Sequence, residues 1–119
     1  MKTKISIGNN GENLAVEFLE KQGIKVIERN WRYSRVGEID IIAHDGETLV
    51  FIEVKTRSTA NFGHPLEVIS TNKLNTIYKL AEIYTNNCNN KNYKGIRIDI
   101  IGILAEKDPE ITHIKGVCQ

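Results

Sequence analysis

At 119 residues the chain is long enough to bury a real hydrophobic core as one domain, 1–119, and no repeat or linker divides it. With 40% hydrophobic and 26% charged residues it has the composition of a globular protein, and a net charge of +1 excludes bulk electrostatic attraction as the basis of any partnership. Cys88 and Cys118 are too few for a disulfide scaffold; with no basic-then-apolar leader and no apolar run near the ~18 residues of a membrane span, a cytoplasmic protein without a membrane partner is expected.

Residues 9–22 predict a helix. Leu14, Ala15, Phe18 and Leu19 recur at helical spacing, Asn9 or Asn10 can cap the start, and Gly23 suits the position just past the end. Glu12 shares a face with Ala15 and Leu19 and heads that stripe. Residues 24–32 read as a first strand and 33–37 as a loop. The stretch 37–57, GEIDIIAHDGETLVFIEVKTR, predicts a hairpin with a tight Asp45-Gly46 turn. Residues 58–69 contain Gly63 and Pro65 and predict irregular chain. A second helix over 71–86, capped by Ser70 or Thr71, carries a stripe of Leu74, Ile77, Tyr78, Ala81 and Tyr84. An asparagine-rich loop at 86–92 leads to a strand over 95–104, a turn at Pro109 and a short last strand within 110–117. The order α-β-β-β-α-β-(β) predicts an α/β fold with one mixed sheet flanked by helices.

The chemistry concentrates in the hairpin. Its arms hold Ile39, Ile41, Ile42, Leu49, Val50, Phe51, Ile52 and Val54, and should be mostly buried, yet they also carry Glu38, Asp40, Glu53 and Lys55. Buried charge is costly unless it is compensated. With Asp45-Gly46 as a two-residue turn, Ile42 is expected opposite Leu49, Asp40 opposite Phe51 and Glu38 opposite Glu53. Alternation then puts Glu38, Asp40, Glu53 and Lys55 on one face, with Asp40 and Glu53 as diagonal neighbours. A three-residue loop or a bulge would break that pairing. Three carboxylates around one point call for a cation, a shared proton or solvent, and hard oxygen ligands suit Mg²⁺ or Mn²⁺. Lys55 beside them can orient or deprotonate an attacking water, or offset charge on a phosphate. A plainer reading stands beside this one. Glu38, Glu53 and Lys55 can lie solvated at strand ends and pair with each other, at ~0–1 kcal/mol per exposed pair. Asp40 fits it least, because isoleucines surround it.

Asp40, a hydrophobic hairpin and then Glu53-Val54-Lys55 resemble the PD-(D/E)xK motif of restriction-endonuclease-like nucleases, whose core has the same α-β-β-β-α-β order. The similarity is closest to the YraN family of uncharacterised bacterial proteins, also labelled UPF0102, which is related to archaeal Holliday-junction resolvases. It is carried by Gly11-Glu12 with Ala15, Arg29-Asn30 with Arg32, Gly37-Glu38-Ile39-Asp40, Phe51-Ile52-Glu53-Val54-Lys55-Thr56-Arg57, Phe62-Gly63 with Pro65, and Lys73. The bare D…ExK pattern is weak, whereas the paired GEID…EVKTR is much more specific. Ile39 stands where the superfamily's namesake has proline, as it does in related resolvases.

The resemblance implies metal-dependent hydrolysis of phosphodiesters in DNA, branched or flapped. It implies Asp40 and Glu53 as metal ligands, Glu12 as a further ligand, the Val54 main-chain carbonyl at the metal, and Lys55 at the attacking water. Without the resemblance, Glu12 reads as a capping-box partner of Asn9. Glu38 is expected as a supporting group or a loop contact. Arg57 leaves the hairpin beside the site and is the best arginine for a phosphate. Arg29, Arg32 and Arg35, interleaved with Trp31 and Tyr33, can grip a nucleic-acid backbone and stack on an unpaired base; Trp31 equally fits a core residue. Lys73 can face a phosphate or be an ordinary solvated lysine. Arg97 and Asp99 share a strand face and fit a simple pair. Related resolvases act as dimers, so a homodimer is the implied assembly. Nothing in the residues selects DNA over RNA. Two other classes remain open: a nucleic-acid-binding module of the same fold without cleavage of its own, and a structural interaction domain. Cys88, His113 and Cys118 lack zinc-site spacing, and His44 and His64 have no nucleophile partner.

Overall fold

A computed structural model of the chain describes residues 4–57, 70–87 and 92–117; the expected irregular stretch 58–69 and both cysteines lie outside the described residues. Helix α1 (Lys4–Lys21) precedes strands β1 (Lys25–Tyr33), β2 (Gly37–Asp45) and β3 (Thr48–Arg57), then helix α2 (Thr71–Asn87) and strands β4 (Gly95–Leu104) and β5 (Glu110–Ile114). The strands form one sheet in the order β1-β2-β3-β4-β5. The β3–β4 pair is parallel and the others antiparallel. Helix α2 lies in the crossover that a parallel pair requires. This is the expected α/β order, compatible with a restriction-endonuclease-like core. No helix among the described residues is long and apolar enough to cross a membrane.

Two apolar layers enclose the sheet. Under α1, Ala15 and Leu19 pack with Ile41, Ala43, Val50, Ile52, Ile101 and Ile103. Under α2, Ile77, Leu80, Ala81 and Tyr84 pack with Ile39, Ile42, Leu49, Phe51 and Ile98. Strands β2 to β4 thus bury both faces, which is why their sequences run apolar instead of alternating.

Several local expectations are corrected. Helix α1 begins at Lys4, so Asn9 and Asn10 lie inside it and neither caps it. A capping box between Asn9 and Glu12 is thereby excluded, since a cap must lie at the helix boundary. Gly23, with φ of +82°, does end the helix as expected. On α2, Ser70 is the cap: its Oγ accepts the Lys73 N–H at 3.1 Å. The buried positions there are Ile77, Leu80, Ala81 and Tyr84, the i, i+3, i+4, i+7 set. Tyr78 belongs outside the expected stripe, about 100° round from Ile77, and is 42% exposed.

The hairpin turn is also one residue later than expected. Asp45 pairs with Thr48, so the turn residues are Gly46 and Glu47. Gly46 has φ of +61° and takes the first central position, where a type II′ turn requires glycine. His44 now faces Leu49, Ile42 faces Phe51 and Ile41 faces Ile52. Relative to the expected pairing, β3 is displaced by two residues. An even displacement keeps the paired residues 41–45 and 48–52 on their expected faces, whereas an odd one would have turned the strand over.

Gly11 sets how closely α1 approaches β3. A Cβ at this position would overlap Thr56 Oγ1. Helix propensity alone favours alanine over glycine by ~1 kcal/mol, but overpacking a close contact costs ~1–3 kcal/mol. Gly11→Ala is therefore expected to destabilise the protein by about 1–2 kcal/mol, and the double variant Gly11→Ala/Thr56→Ala to recover most of that loss. Denaturant melts of the three proteins check this. A single variant as stable as wild type would show that α1 can move away at no cost.

Candidate active site

The main-chain ladder between β2 and β3 ends at Ile41 and Ile52. Beyond it, the Val54 N–H donates to Asp40 Oδ2 at 2.8 Å, so a side chain replaces the next main-chain acceptor. Ile39 lies in the layer under α2, whereas Ile41 and Ala43 lie in the layer under α1. A regularly alternating strand would put all three on one face, so β2 slips at Asp40. Strand β1 slips with it. Arg29 bonds to Glu12 of α1, while Trp31 packs in the layer under α2. Between them Asn30 has φ of +54°, a conformation that asparagine tolerates better than most residues. Arg29 faces Ile41 and Trp31 faces Ile39, so the two irregular residues sit across from each other.

The consequence is an opened edge lined by acids. Continuing the β2–β3 register brings Glu53 opposite Asp40, closer than the expected diagonal, and their carboxyls share a hydrogen bond. Glu53 is only 5% exposed, and Lys73 Nζ from α2 stands 3.5 Å from its Oε2. Glu12 arrives from α1, with its Oε1 accepting from Asn30 Nδ2 at 3.0 Å and Arg29 Nη2 at 3.2 Å. Arg29 also donates to Asn13 at 2.8 Å. Burial, followed by the charge of Glu53, pushes the Asp40 carboxyl up from 3.8 to about 7. Glu12 and the Glu53 hydrogen bond add to the rise, and the Val54 N–H opposes it.

These donors suit a divalent cation. Asp40 and Glu53 are hard oxygen donors held together with too little positive charge beside them. In an extended strand the N–H and C=O of one residue point the same way. The Val54 N–H is directed at Asp40, so the Val54 carbonyl faces the same opened edge. Among the described residues no group of three His, Cys, Asp or Glu side chains stands as a formed metal cage. Glu12 Oε1 is committed to Arg29 and Asn30.

The expected cationic residues gather at the same end of the sheet. Strand β2 begins there, β3 ends there, and α2 starts there. Lys55 is half-buried, two residues beyond Glu53 on the same strand, and Arg57 closes the strand. Arg35 is exposed in the turn before β2. Arg32 Nη1 lies 3.7 Å from Glu38 Oε2, an exposed pair, so Glu38 serves the β1–β2 edge and not Asp40. Lys73, still partly exposed, pairs with Glu53. Sequence reasoning named Asn30 only among the residues of the family resemblance and gave it no place at Glu12. The signal was an asparagine interrupting an otherwise alternating strand, next to the arginine that binds Glu12.

A second polar cluster lies further along the sheet. Asp99 on β4 is fully buried. It accepts from Arg97 Nε at 2.8 Å and Nη2 at 3.0 Å, from the Gly116 N–H at 3.0 Å, and pairs with His113 Nε2 at 2.8 Å. Arg97 also reaches Asp45 Oδ2 at 2.9 Å. Here burial, which alone would raise the Asp99 carboxyl, is outweighed by the bonds from His113, Arg97 and Gly116, and the group is held below its ordinary value.

Comparison with known proteins places the chain in a family. Residues 11–103 match the group described as "Uncharacterised protein family UPF0102". A UPF0102 protein of Dictyoglomus turgidum is 48% identical over 105 residues, covering 88% of this chain and 87% of that one. One from Streptomyces griseus is 42% identical over 119 residues, covering 98% and 99%. One from Paenarthrobacter aurescens is 40% identical over 120 residues, covering 99% and 98%. The match takes in the opened edge and every acid on it, and the relatives are of the same extent: the chain belongs to family UPF0102.

Proposed function

We propose that this chain is a divalent-metal-dependent endonuclease of the PD-(D/E)xK type that hydrolyses phosphodiesters in DNA carrying a branch or flap. The observation that carries this reading is the meeting of Asp40 and Glu53 at the opened edge, where Asp40 is driven to hold its proton to about pH 7. A carboxylate pair kept for stability would be matched by cations, as Asp99 is. An unmatched one costs folding energy and persists where something else binds to it.

In this reading Asp40, Glu53 and the Val54 carbonyl hold Mg²⁺ or Mn²⁺, with Glu12 as a further ligand. When bound, such an ion supplies Lewis acidity toward the phosphate. Lys55 takes the proton of the attacking water or lies against the charge that develops on the phosphate. Arg57, Lys73, Arg32 and Arg35 hold the flanking backbone. Resemblance to resolvases supports the branched substrate and a homodimer.

The test is cleavage of branched, flapped and linear DNA, and of RNA, with Mg²⁺ or Mn²⁺, by wild type and Asp40→Asn. Metal-dependent cutting by wild type alone is expected. The second reading, a nucleic-acid-binding module without cleavage, is favoured by Glu12, whose Oε1 is already committed to Arg29 and Asn30. Tight nucleic-acid binding with no metal-dependent cutting would establish that reading in place of the first.

Lys73 offers a separate check. Its ammonium competes with any cation for Glu53. Lys73→Ala is expected to tighten Mn²⁺ binding to the free protein roughly 2- to 5-fold, the equivalent of a partly exposed ion pair, and to weaken DNA binding. Calorimetry and fluorescence anisotropy read the two effects. Unchanged Mn²⁺ affinity would show that Lys73 does not guard the site.

A further inference from the structure

An open cleft of about 360 Å³ lies between the turn preceding β2 and the first half of α2, lined by Val36, Asn72, Asn75, Thr76 and Lys79. Its size is at the lower end of the ~300–1,000 Å³ of small-ligand sites. Gly37, next to Val36, lets α2 pack closely on the start of β2. With φ of +149° it is a glycine conformation, and a Cβ there would press on Thr76 Cγ2 at 3.2 Å. Tyr33 is the cross-strand partner of Gly37. It is 42% exposed and stacked on Trp31, with centroids 6.1 Å apart and planes at 25°. Trp31 packs edge-on to Tyr84, and Tyr84 to Phe51, so the stack is anchored in the core. The exposed Tyr33 ring is therefore held from the core, on the strand pair whose turn supplies Val36 to the cleft. Two amides line it, each with donors and an acceptor, and Lys79 adds a cation, with Arg35 in the adjoining turn.

Asn72 is next to Lys73, the residue bound to Glu53. At 1.5 Å per residue, Asn75 and Lys79 lie roughly 3–9 Å further along the helix axis. That separation suits a nucleotide adjoining a phosphate at the acids. A flat ligand that stacks on tyrosine, exchanges hydrogen bonds with amides and arrives on an anionic backbone is a nucleobase. A paired base has both faces covered and its edge occupied, so it offers neither contact.

We infer that this cleft is a subsite for one unpaired nucleobase, stacked on Tyr33 and read by Asn72 and Asn75, next to the place of the scissile phosphodiester at the opened edge. The inference rests on the nuclease reading for the place of the phosphate. It makes an unpaired nucleotide beside the scissile bond the feature that selects substrate.

The experiment is equilibrium binding of the full chain, in EDTA, to labelled duplexes that differ at one position: fully paired, a single-base bulge, and the same bulge without its base. Wild type is expected to favour the bulge with a base over the abasic one by about 5- to 100-fold, the range for one stacked base. The single tryptophan, Trp31, should report the stacking by a fluorescence change with the base-containing bulge only. Tyr33→Ala and Asn75→Ala should each lower the discrimination ratio, and Tyr33→Phe should retain it. Thermal melts identify any variant that fails to fold, in which case the wild-type ratio decides alone. Equal affinity of wild type for the two bulges, or no nucleic-acid binding at all, overturns the inference. Metal-dependent cutting without base discrimination removes the subsite and leaves the nuclease reading intact. Base discrimination without cutting does the reverse.

Discussion

Asp40→Asn is expected to abolish metal-dependent cleavage while making the metal-free protein more stable at pH 8. The two effects have one cause. In wild type the Asp40 carboxyl is buried beside Glu53, with Glu12 near, and its pKa is raised to about 7. The folded state therefore holds a proton that the unfolded chain releases near pH 4. The contribution of Asp40 to stability is most favourable below pH 4, declines as pH rises through the interval from 4 to 7, and is fully unfavourable above it. The penalty is of order 2–4 kcal/mol at pH 8, for a group coupled to its neighbour. Asparagine carries no charge, its Oδ1 can still accept the Val54 N–H, and its Nδ2 can donate to Glu53. The variant should melt several degrees higher than wild type at pH 8 without divalent ions, and equally or lower near pH 4. Its cleavage should fall by at least 10²–10³-fold, about the loss for removing one group aimed at transition-state charge. Melts from pH 4 to 8 in EDTA, with a cleavage assay in Mn²⁺, test both halves. A variant less stable than wild type at pH 8 would falsify the view that Asp40 is uncompensated. A stabilised variant that still cuts would remove Asp40 from the chemistry.

That pairing of effects explains what the sequence could and could not convey. The element order and the β4 limits follow from apolar runs and punctuation, and the structure has them. The turn position does not follow, because Asp45-Gly46 and Gly46-Glu47 both put glycine where a two-residue turn accepts it. Side-chain faces withstood that error only because the displacement was even. The slip at Asn30 and Asp40 was not legible. Period-two reasoning assumes regular strands, and the site exists because two neighbouring strands depart from regularity at the same level. Glu12 was legible as the head of an apolar stripe, but its hold by Arg29 and Asn30 depends on how α1 lies across β1. Arg97 and Asp99 were legible as a pair on one face; Asp45, His113 and Gly116, which complete the cluster, come from distant stretches.

The same sheet therefore holds two aspartates that the sequence presents alike, each set among isoleucines, Asp40 half-buried and Asp99 buried, and the second should respond in the opposite sense. Asp99→Ala is expected to cost about 3–5 kcal/mol, the loss on removing one member of a buried ionic cluster. Ionised Asp99 only accepts hydrogen bonds, so His113 Nε2 must carry the hydrogen between them. Without Asp99 that N–H is buried and unpaired, in a ring whose Nδ1 already has no partner. The Gly116 N–H is orphaned as well, which loosens the segment after β5 from β4, and Arg97 is left with Asp45 alone. Because the Asp99 carboxyl is held below its ordinary 3.8, its contribution is present above pH 4 and is lost as pH falls through the lowered folded value. The gap between wild type and Asp99→Ala should be full at pH 7 and narrow in strong acid, whereas the gap between wild type and Asp40→Asn opens toward alkaline pH. Denaturant melts of both variants at pH 3 and pH 7 separate the two. A loss under about 1 kcal/mol for Asp99→Ala at pH 7 would mean that water replaces the carboxylate in the cluster, and that lack of compensation does not distinguish Asp40 from it.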